Sequence, residues 1–291
     1  TLTAPTTICP SDSIDISVVP TSLATYTFFI GGAQVQESSS ATLTTTGITQ
    51  TSSVVIQITN SAGCIETVST TINVIDLDDG GDITSLITTI CSGASSPLIS
   101  NSVSATLESY SAAATITYFW EQSYDTLSWT PIPLEVGSSL PAGALTNITS
   151  TTHFRRVAQI EDEDGDLCET LYSNTNVTIT VEAAITPTIT SSTGAFTFCE
   201  GASVTFSSPT AGVATYTWTY NDGSSTTSST GTGTSTDVTI GIANGWIDLE
   251  VTTTAGCLYS VREPVTVAPA INTTLTAPTT ICPSDSIDIS V

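Results

Sequence analysis

Residues 246–257 read WIDLEVTTTAGC, and this stretch indicates the fold of the region around it. Ile247, Leu249 and Val251 alternate with polar residues, which is the period of a β-strand with one buried face. The TTAG that follows is typical of a tight turn, and it ends in Cys257. The same alternation recurs in VSTTINV (residues 68–74) and VTITV (residues 177–181). The chain is therefore predicted to be all-β, built from antiparallel sandwiches of about seven strands.

Cysteines divide the chain into three related modules. Three of them open similar segments (CPSDSIDIS, CSGASSPLIS and CEGASVTFS), and three others close similar turns (NSAGC, DGDLC and TTAGC). Pairing the first cysteine of each module with the second predicts the disulfides Cys9–Cys64, Cys91–Cys168 and Cys199–Cys257. A between-module scheme uses the count equally well, with the pairs Cys64–Cys91, Cys168–Cys199 and Cys257–Cys282. Either scheme indicates an oxidising, extracellular location.

The chain contains the same segment twice. TLTAPTTICPSDSIDISV occupies residues 1–18 and again residues 274–291 without a change, which indicates a tandem array with a period of 273 residues. We expect the chain to be a window of a longer protein whose export signal lies outside it. The predicted domains are an Ig-like module 1 (residues 1–75), an Ig-like module 2 (76–182), a PKD-like or Ig-like module 3 (183–270) and the start of the next repeat (271–291).

Charge excludes several classes of partner. The chain has 27 acidic residues, three arginines and no lysine, so its net charge is −24. Binding to nucleic acid or to an anionic membrane requires basic residues that this chain lacks. No apolar run approaches the roughly 20 residues of a membrane-spanning helix, so no membrane insertion is expected. The composition favours an extracellular, cell-surface protein.

An aromatic pair at alternate positions marks one strand in each module. The pairs are Tyr26 with Phe28, Tyr118 with Trp120, and Tyr216 with Trp218. Their equivalent placement favours core packing over the stacking of sugars on exposed rings. Trp129 lies in an insertion of module 2 and is the aromatic side chain for which we expect exposure.

Three stretches of module 2 carry a recurring pattern: YFWEQSYDTLSWTPIP, LTNITSTTHFRRVAQ and CETLYSNTNVTITV. With them, module 2 resembles the Ig-like repeats of giant cell-surface proteins of the Bacteroidota. The family pattern falls on Trp120, Ser123, Asp125, Trp129, Leu145, Thr146, Thr149, Arg155, Arg156, Cys168, Ser173 and Asn174. Module 3 is similar to the related PKD-like repeats, whereas module 1 matches the cysteine frame but has Phe28 in place of Trp. The resemblance implies a gliding adhesin or a grappling-hook filament exported by the type IX system. It also implies that Arg155 and Arg156 pair with local carboxylates.

Two acidic clusters are candidate Ca²⁺ ligands. DLDDGGD contributes Asp76, Asp78, Asp79 and Asp82, and EDEDGD contributes Asp162, Asp164 and Asp166 together with two glutamates. In an Ig-type sandwich the loop between the last two strands lies at the N-terminal end of the module, so we expect both clusters to meet at the junction of modules 1 and 2. Crowded oxygen ligands favour Ca²⁺. The alternative is a solvated acidic loop and linker.

Catalytic chemistry is not predicted. His153 is the single histidine, and no serine or cysteine nucleophile signature accompanies it, so no catalytic residue is assigned and the protein is not expected to be an enzyme. The resemblance to Bacteroidota proteins implies O-glycosylation at Asp-Ser/Thr-apolar tripeptides. Candidate sites of this kind are Ser13, Thr126 and Ser286.

The sequence favours a non-enzymatic shaft segment of a long extracellular filament or adhesin. Its expected partners are neighbouring copies of the same repeat, and Ca²⁺ is the one candidate cofactor. The alternative hypothesis is a module that binds cell-surface glycans through exposed aromatics such as Trp129.

Overall fold

The computed structural model describes residues 1–19, 24–223, 226–227 (backbone only) and 233–268. The chain divides into two compact units, Thr1–Glu182 and Ala183–Val291. Every regular element in the described part of the chain is a strand, which confirms the all-β prediction. Cys282, Ser286 and the predicted fourth domain (271–291) lie outside the described residues.

Module 1 is a sandwich of two sheets. Its strands are β1 (Leu2–Thr3), β2 (Thr7–Ile8), β3 (Ile14–Val18), β4 (Ala24–Ile30), β5 (Ala33–Ser38), β6 (Thr42–Thr45), β7 (Ser52–Asn60) and β8 (Ile65–Val74). One sheet has the order β1-β3-β6 and the other β2-β8-β7-β4-β5. Ile16 from the first sheet and Phe28 and Ile56 from the second belong to one core cluster, because the alternation turns one face of each strand inward.

Module 2 has the largest sheet. Its strands are β9 (Leu77–Asp79), β10 (Asp82–Thr84), β11 (Thr89–Cys91), β12 (Ser100–Val103), β13 (Thr106–Leu107), β14 (Thr117–Ser123), β15 (Thr130–Ile132), β16 (Thr152–Glu161), β17 (Leu167–Tyr172) and β18 (Val177–Glu182). Six strands form one sheet in the order β11-β18-β16-β14-β15, with β17 also paired to β16. Two-stranded sheets, β10-β12 and β13-β9, complete the module.

Module 3 repeats the plan of module 1 in the second unit. Its strands are β19 (Thr190–Ser191), β20 (Thr197–Cys199), β21 (Ser203–Ser207), β22 (Val213–Asn221), β23 (Thr226–Thr227), β24 (Ser235–Thr239), β25 (Gly245–Thr253) and β26 (Leu258–Ala268). The sheets are β19-β21-β24 and β20-β26-β25-β22-β23. Ile247, Leu249 and Val251 of β25 are fully buried, as their alternation predicts.

The predicted aromatic core positions are confirmed for Tyr26, Phe28, Trp120 and Trp218, whereas Tyr118 and Tyr216 are half-buried. Phe28, Trp120 and Trp218 have no exposed surface. The indole Nε1 of Trp120 donates to the carbonyl of Gly137 at 2.9 Å, and that of Trp218 donates to Gly233 at 3.0 Å. Each indole therefore buries its apolar surface without leaving its N–H unpaired, which is the usual condition for a tryptophan in a core.

The predicted disulfide pairing is wrong. Cys9 is bonded to Cys168, whereas Cys64 and Cys199 are free and exposed. Neither Cys9–Cys64 nor Cys91–Cys168 nor Cys199–Cys257 forms, and the alternative pairs Cys64–Cys91 and Cys168–Cys199 are excluded as well. Cys91 and Cys257 each take part in a disulfide.

The position of strand β8 explains why Cys9 and Cys64 do not pair. Cys64 precedes Ile65, the first residue of β8, whereas Cys9 follows Ile8, which pairs with Val74 at the other end of that strand. The ten residues of β8 separate the two cysteines by roughly 30 Å. A disulfide requires Cα atoms within about 7 Å, so the pair predicted from the sequence cannot form.

Candidate functional site: the joint between modules 1 and 2

A disulfide crosses the joint between the first two modules. Cys9 lies just after β2 of module 1, and Cys168 lies in β17 of module 2. Their Cα atoms are 4.8 Å apart, although 159 residues separate them along the chain. The bond therefore closes a loop that contains most of both modules.

Hydrogen bonds join the same two modules beside the disulfide. Glu163, in the loop between β16 and β17, accepts the backbone N–H of Thr6 at 2.7 Å, and the Thr6 hydroxyl donates to the same carboxylate. These hydrogen bonds lower the pKa of Glu163, the hydroxyl contributing most, because they favour the charged carboxylate. Glu163 thus belongs to the joint, although it was identified only as part of an acidic run.

The linker after β8 is held from both sides. The N–H of Ala112 donates to the carbonyl of Val74 at 2.9 Å, and the hydroxyl of Tyr110 donates to Asp76 at 2.7 Å. Tyr110 also packs against the core of module 1. The hydrogen bond to Asp76 raises the pKa of Tyr110 to about 12. Asp76 is therefore a structural acceptor in the linker.

Glu169 is the second carboxylate at this linker. It accepts the N–H of Leu77 at 3.1 Å, and burial together with the neighbouring Asp76 raises its pKa above the ordinary value. Burial and a nearby negative charge both disfavour the charged form, so Glu169 holds its proton more tightly in the folded protein.

An acidic groove lies next to the disulfide. It has a volume of about 310 Å³, and its carboxylates come from both modules: Asp12, Asp15, Asp162, Asp164 and Asp166. The carboxylate of Asp12 accepts the N–H of Cys9 at 2.8 Å, and one oxygen of Asp162 accepts the N–H groups of Asp164 and Asp166 at 3.0 and 2.9 Å. The backbone thereby fixes the direction of two of the carboxylates.

The side chains that line the groove offer oxygen ligands, mainly carboxylates, and no free thiolate. The sulfur of Cys9 lies within 4.8 Å of ligand oxygens of Asp12 and Asp162. It is bonded to Cys168 and is not available as a thiolate. A hard cation such as Ca²⁺ fits this donor set better than a thiophilic metal does. The sequence analysis did not identify Asp12 and Asp15, which lie in the segment PSDSID after Cys9.

The other predicted acidic cluster has different neighbours. Asp79 accepts Asn174 Nδ2 at 2.9 Å, Asp82 accepts the Thr175 hydroxyl at 3.4 Å, and Asp78 is exposed. These contacts bind the start of module 2 to the loop between β17 and β18. The groove at the joint is not lined by this cluster. The two clusters were predicted to meet at one junction, but only Asp162, Asp164 and Asp166 line the groove there.

The glycine pair within DLDDGGD serves a buried arginine. Gly81 has φ of +72°, and a Cβ there would overlap the Val103 carbonyl and the Arg156 guanidinium. A Cβ on Gly80 would overlap the backbone of Tyr172. Close backbone approach, which a side chain would prevent, explains both glycines.

Arg156 is fully buried and has no carboxylate partner among the hydrogen bonds of its guanidinium. Its Nη1 and Nη2 donate to four acceptors: Asn101 Oδ1 at 2.5 Å, Gly80 O at 2.7 Å, Val103 O at 3.1 Å and Ser138 O at 3.2 Å. Burial lowers its pKa. The expectation that Arg156 pairs with a carboxylate is wrong, because the planar guanidinium instead matches several carbonyls of converging loops.

Arg155, on the opposite face of β16, does pair with a carboxylate. Its Nη2 lies 2.6 Å from Glu121. Its guanidinium stacks 4.3 Å from the ring centroid of Trp129 and 3.8 Å from that of Tyr172. Trp129 is consequently half-buried, with Arg155 over its ring, and not freely exposed as expected.

The remaining predicted positions lie apart from the groove or at its rim. Ser13 is exposed and lines the groove, and Thr126 is exposed at a turn with φ of +63°. His153 lies on β16, where its Nδ1 is 2.9 Å from the Thr178 hydroxyl. Ser13 and Thr126 are both exposed, and their glycosylation remains a prediction.

One family model matches part of the chain. Residues 80–183 match a family described as a domain of unknown function (DUF8696), which covers module 2. No curated protein sequence matches the chain. None of the described residues forms a helix long and apolar enough to cross a membrane.

Solved structures of adhesin and Ig-type domains resemble the chain. A Ca²⁺-stabilised adhesin with which an Antarctic bacterium binds ice has a TM-score of 0.46 at 14% identity, covering 92% of this chain and 73% of that one. A 1.5-MDa bacterial ice-binding adhesin has 0.41 at 15%, covering 92% and 96%. The ICAM-5 D1–D4 ectodomain fragment has 0.40 at 15%, covering 92% and 76%.

Proposed function

We propose that this chain is a non-enzymatic structural segment of a long extracellular filament or adhesin on a bacterial surface. The observation that carries the proposal is the disulfide between Cys9 and Cys168, which joins consecutive modules at their joint. A tandem array with such bonds resists separation of its modules under tension. Disulfides of this kind are typical of proteins outside the cytoplasm.

The disulfide changes the path that a pulling force takes. Tension applied at residue 1 passes along the chain to Cys9, crosses to Cys168 and continues to residue 182. Residues 10–167 lie inside the loop that this bond closes, so tension between residues 1 and 182 bypasses them once the bond is taut. One covalent bond therefore shields the strands from β3 to β16 from this tension, which suits a load-bearing shaft, whereas β1, β2 and β18 lie outside the loop.

The acidic groove could stabilise the same joint in a second way, by binding a cation. Five carboxylates from two modules repel one another in a chain of net charge −24. Ca²⁺ in the groove would remove this repulsion and tie Asp12 of module 1 to Asp162 of module 2. We include Ca²⁺ in the proposal as a stiffener of the joint.

The resemblance of module 2 to Bacteroidota surface repeats supports a more specific assignment. A gliding adhesin or a grappling-hook filament exported by the type IX system would use such modules as a spacer, with neighbouring copies of the repeat as its partners. At about 35 to 40 Å per module, one period would add roughly 110 Å of length.

Single-molecule pulling on the purified chain, with the force applied between residues 1 and 182, tests the proposal. Under oxidising conditions the loop of residues 10–167 should stay closed, and reduction should release about 550 Å of additional contour length, at about 3.5 Å per residue. Release of that length without reductant, or compact particles in electron micrographs of the natural protein, would contradict a shaft.

Glycan binding through Trp129 is the second candidate, and it has less support. One face of the indole is occupied by Arg155, so the ring offers a sugar at most its other face. Glycan-array binding that is lost in Trp129→Ala and kept in Tyr124→Ala, a change at an exposed aromatic of the same insertion, would favour this candidate.

A further inference from the structure

The first cysteine of each module occupies the same place in the fold. A short strand that ends at this cysteine or just before it runs parallel to the last strand of the module, with the pairs Ile8↔Val74, Ile90↔Val181 and Phe198↔Val267. Cys9, Cys91 and Cys199 each come directly after the first member of these pairs. Each therefore lies beside the point where the chain leaves its module.

The second cysteine of each module follows the same kind of turn. In NSAGC the N–H of Asn60 donates to Cys64 O at 3.0 Å, in DEDGDLC that of Asp162 donates to Asp166 O at 3.0 Å, and in TTAGC that of Thr253 donates to Cys257 O at 2.9 Å. A glycine with positive φ precedes the acceptor in each turn: Gly63 at 81°, Gly165 at 85° and Gly256 at 84°.

Cys168 deviates from the other two by two residues. It comes two positions after Asp166, the residue that corresponds to Cys64 and Cys257. Cys168 lies at the irregular start of β17, where Leu167 and Glu169 pair with consecutive residues of β16. The second cysteine of each module, the turn cysteine, thus lies at or just after an equivalent turn, and the first, the exit cysteine, lies at an equivalent short strand.

The disulfide between Cys9 and Cys168 follows a simple rule in these terms. It joins the exit cysteine of module 1 to the turn cysteine of the module that follows. Within one period, two cysteines lack the neighbouring module that would supply their partner. Cys199 is an exit cysteine without a following turn, and Cys64 is a turn cysteine without a preceding exit. These are the two cysteines that are free and exposed.

We propose that Cys199 forms a disulfide with Cys64 of the next 273-residue period. This inference rests on the proposed function, because it requires periods in tandem. The partner is a second copy of module 1, and the repeat of residues 1–18 at 274–291 indicates that such a copy follows module 3. This disulfide would link module 3 to the first module of the next period, a joint that would otherwise have no disulfide across it.

The bond forms by thiol–disulfide exchange. One cysteine thiolate attacks a disulfide-containing oxidant, and the second thiolate then displaces the oxidant from the mixed disulfide. The two thiols lose two protons and two electrons in total, and the oxidant leaves as a dithiol. Exposure of both cysteines gives the oxidant access.

The test uses two periods in tandem, residues 1–273 followed by the whole chain, produced in an oxidising compartment. Three matched variants each keep two of the four relevant cysteines and replace the others by serine. The first keeps Cys199 of the first period and Cys64 of the second. The second keeps both cysteines of the first period, and the third keeps Cys64 of the first and Cys199 of the second.

Non-reducing peptide mapping and alkylation of free thiols provide the result. We expect a linked Cys64–Cys199 peptide in the first variant and free thiols at these positions in the other two. Free thiols in the first variant, or a bond within one period in the second, would overturn the proposal. The Cys9–Cys168 peptide, present in all three, shows that the modules have folded.

Electron microscopy of the same samples separates this inference from the proposed function. An extended particle of twice the one-period length that retains free thiols would refute the disulfide between periods and leave the proposed shaft function intact. A compact particle would refute the shaft function itself.

Discussion

Replacement of Arg156 by methionine should destabilise module 2 more than any exposed substitution in it. The guanidinium donates to the carbonyls of Gly80, Val103 and Ser138 and to the side chain of Asn101. Each buried acceptor that loses its donor costs about 1 to 3 kcal/mol. The change also removes a desolvated charge, whose burial lowers the pKa of Arg156 and opposes folding. The net loss in the free energy of unfolding is therefore about 3 to 5 kcal/mol.

Urea unfolding followed by tryptophan fluorescence measures this loss. Trp120 is buried and is the cross-strand partner of Arg156, so its emission reports on the same part of the module. Arg156→Lys keeps the charge but loses the planar fork, and we expect it to recover less than half of the lost stability. Arg155→Met is the matched control on the other face of the strand, with an expected cost of about 1 to 2 kcal/mol.

Two results would refute this reasoning. If Arg156→Met cost no more than Arg155→Met, the buried hydrogen bonds would not stabilise the module. If Arg156→Lys were as stable as the natural protein, charge would matter and the geometry of the guanidinium would not.

Four further predictions follow from the structure. Gly81→Ala should cost about 2 to 4 kcal/mol in urea unfolding, because φ is +72° and a Cβ would strike backbone, whereas Gly143→Ala, with open space, should cost less. Cys9→Ser should lower the unfolding free energy of the joined modules by about 5 kcal/mol for a loop of 159 residues, and prior reduction should abolish the difference. Calorimetric titration should show Ca²⁺ binding that Asp162→Asn weakens and Asp78→Asn leaves intact; equal effects of both changes would exclude the groove. Glu169→Gln should stabilise the protein at pH 7 and have little effect at pH 3. Because folding raises the pKa of Glu169, the ionised carboxylate destabilises the folded state at high pH, and this effect disappears as the pH falls below the pKa that Glu169 has in the unfolded chain. Thermal unfolding across this pH range provides the measurement.

The all-β fold of this protein could be predicted from local patterns in its sequence. Alternation at positions such as Ile247, Leu249 and Val251 identified strands, and the paired aromatics identified the core around Trp120 and Trp218. These signals are legible in the sequence because a strand turns every second side chain to the same face, so burial is set by near neighbours along the chain.

Tertiary structure decided how the modules are joined. Cys9 and Cys64 look like partners along the sequence, yet they lie at opposite ends of β8, and Cys168 is the cysteine that reaches Cys9. The acidic groove and the four acceptors of Arg156 likewise come from segments far apart in the chain. Their proximity depends on sheet order and on the packing of one module against the next, for which the sequence holds no local period.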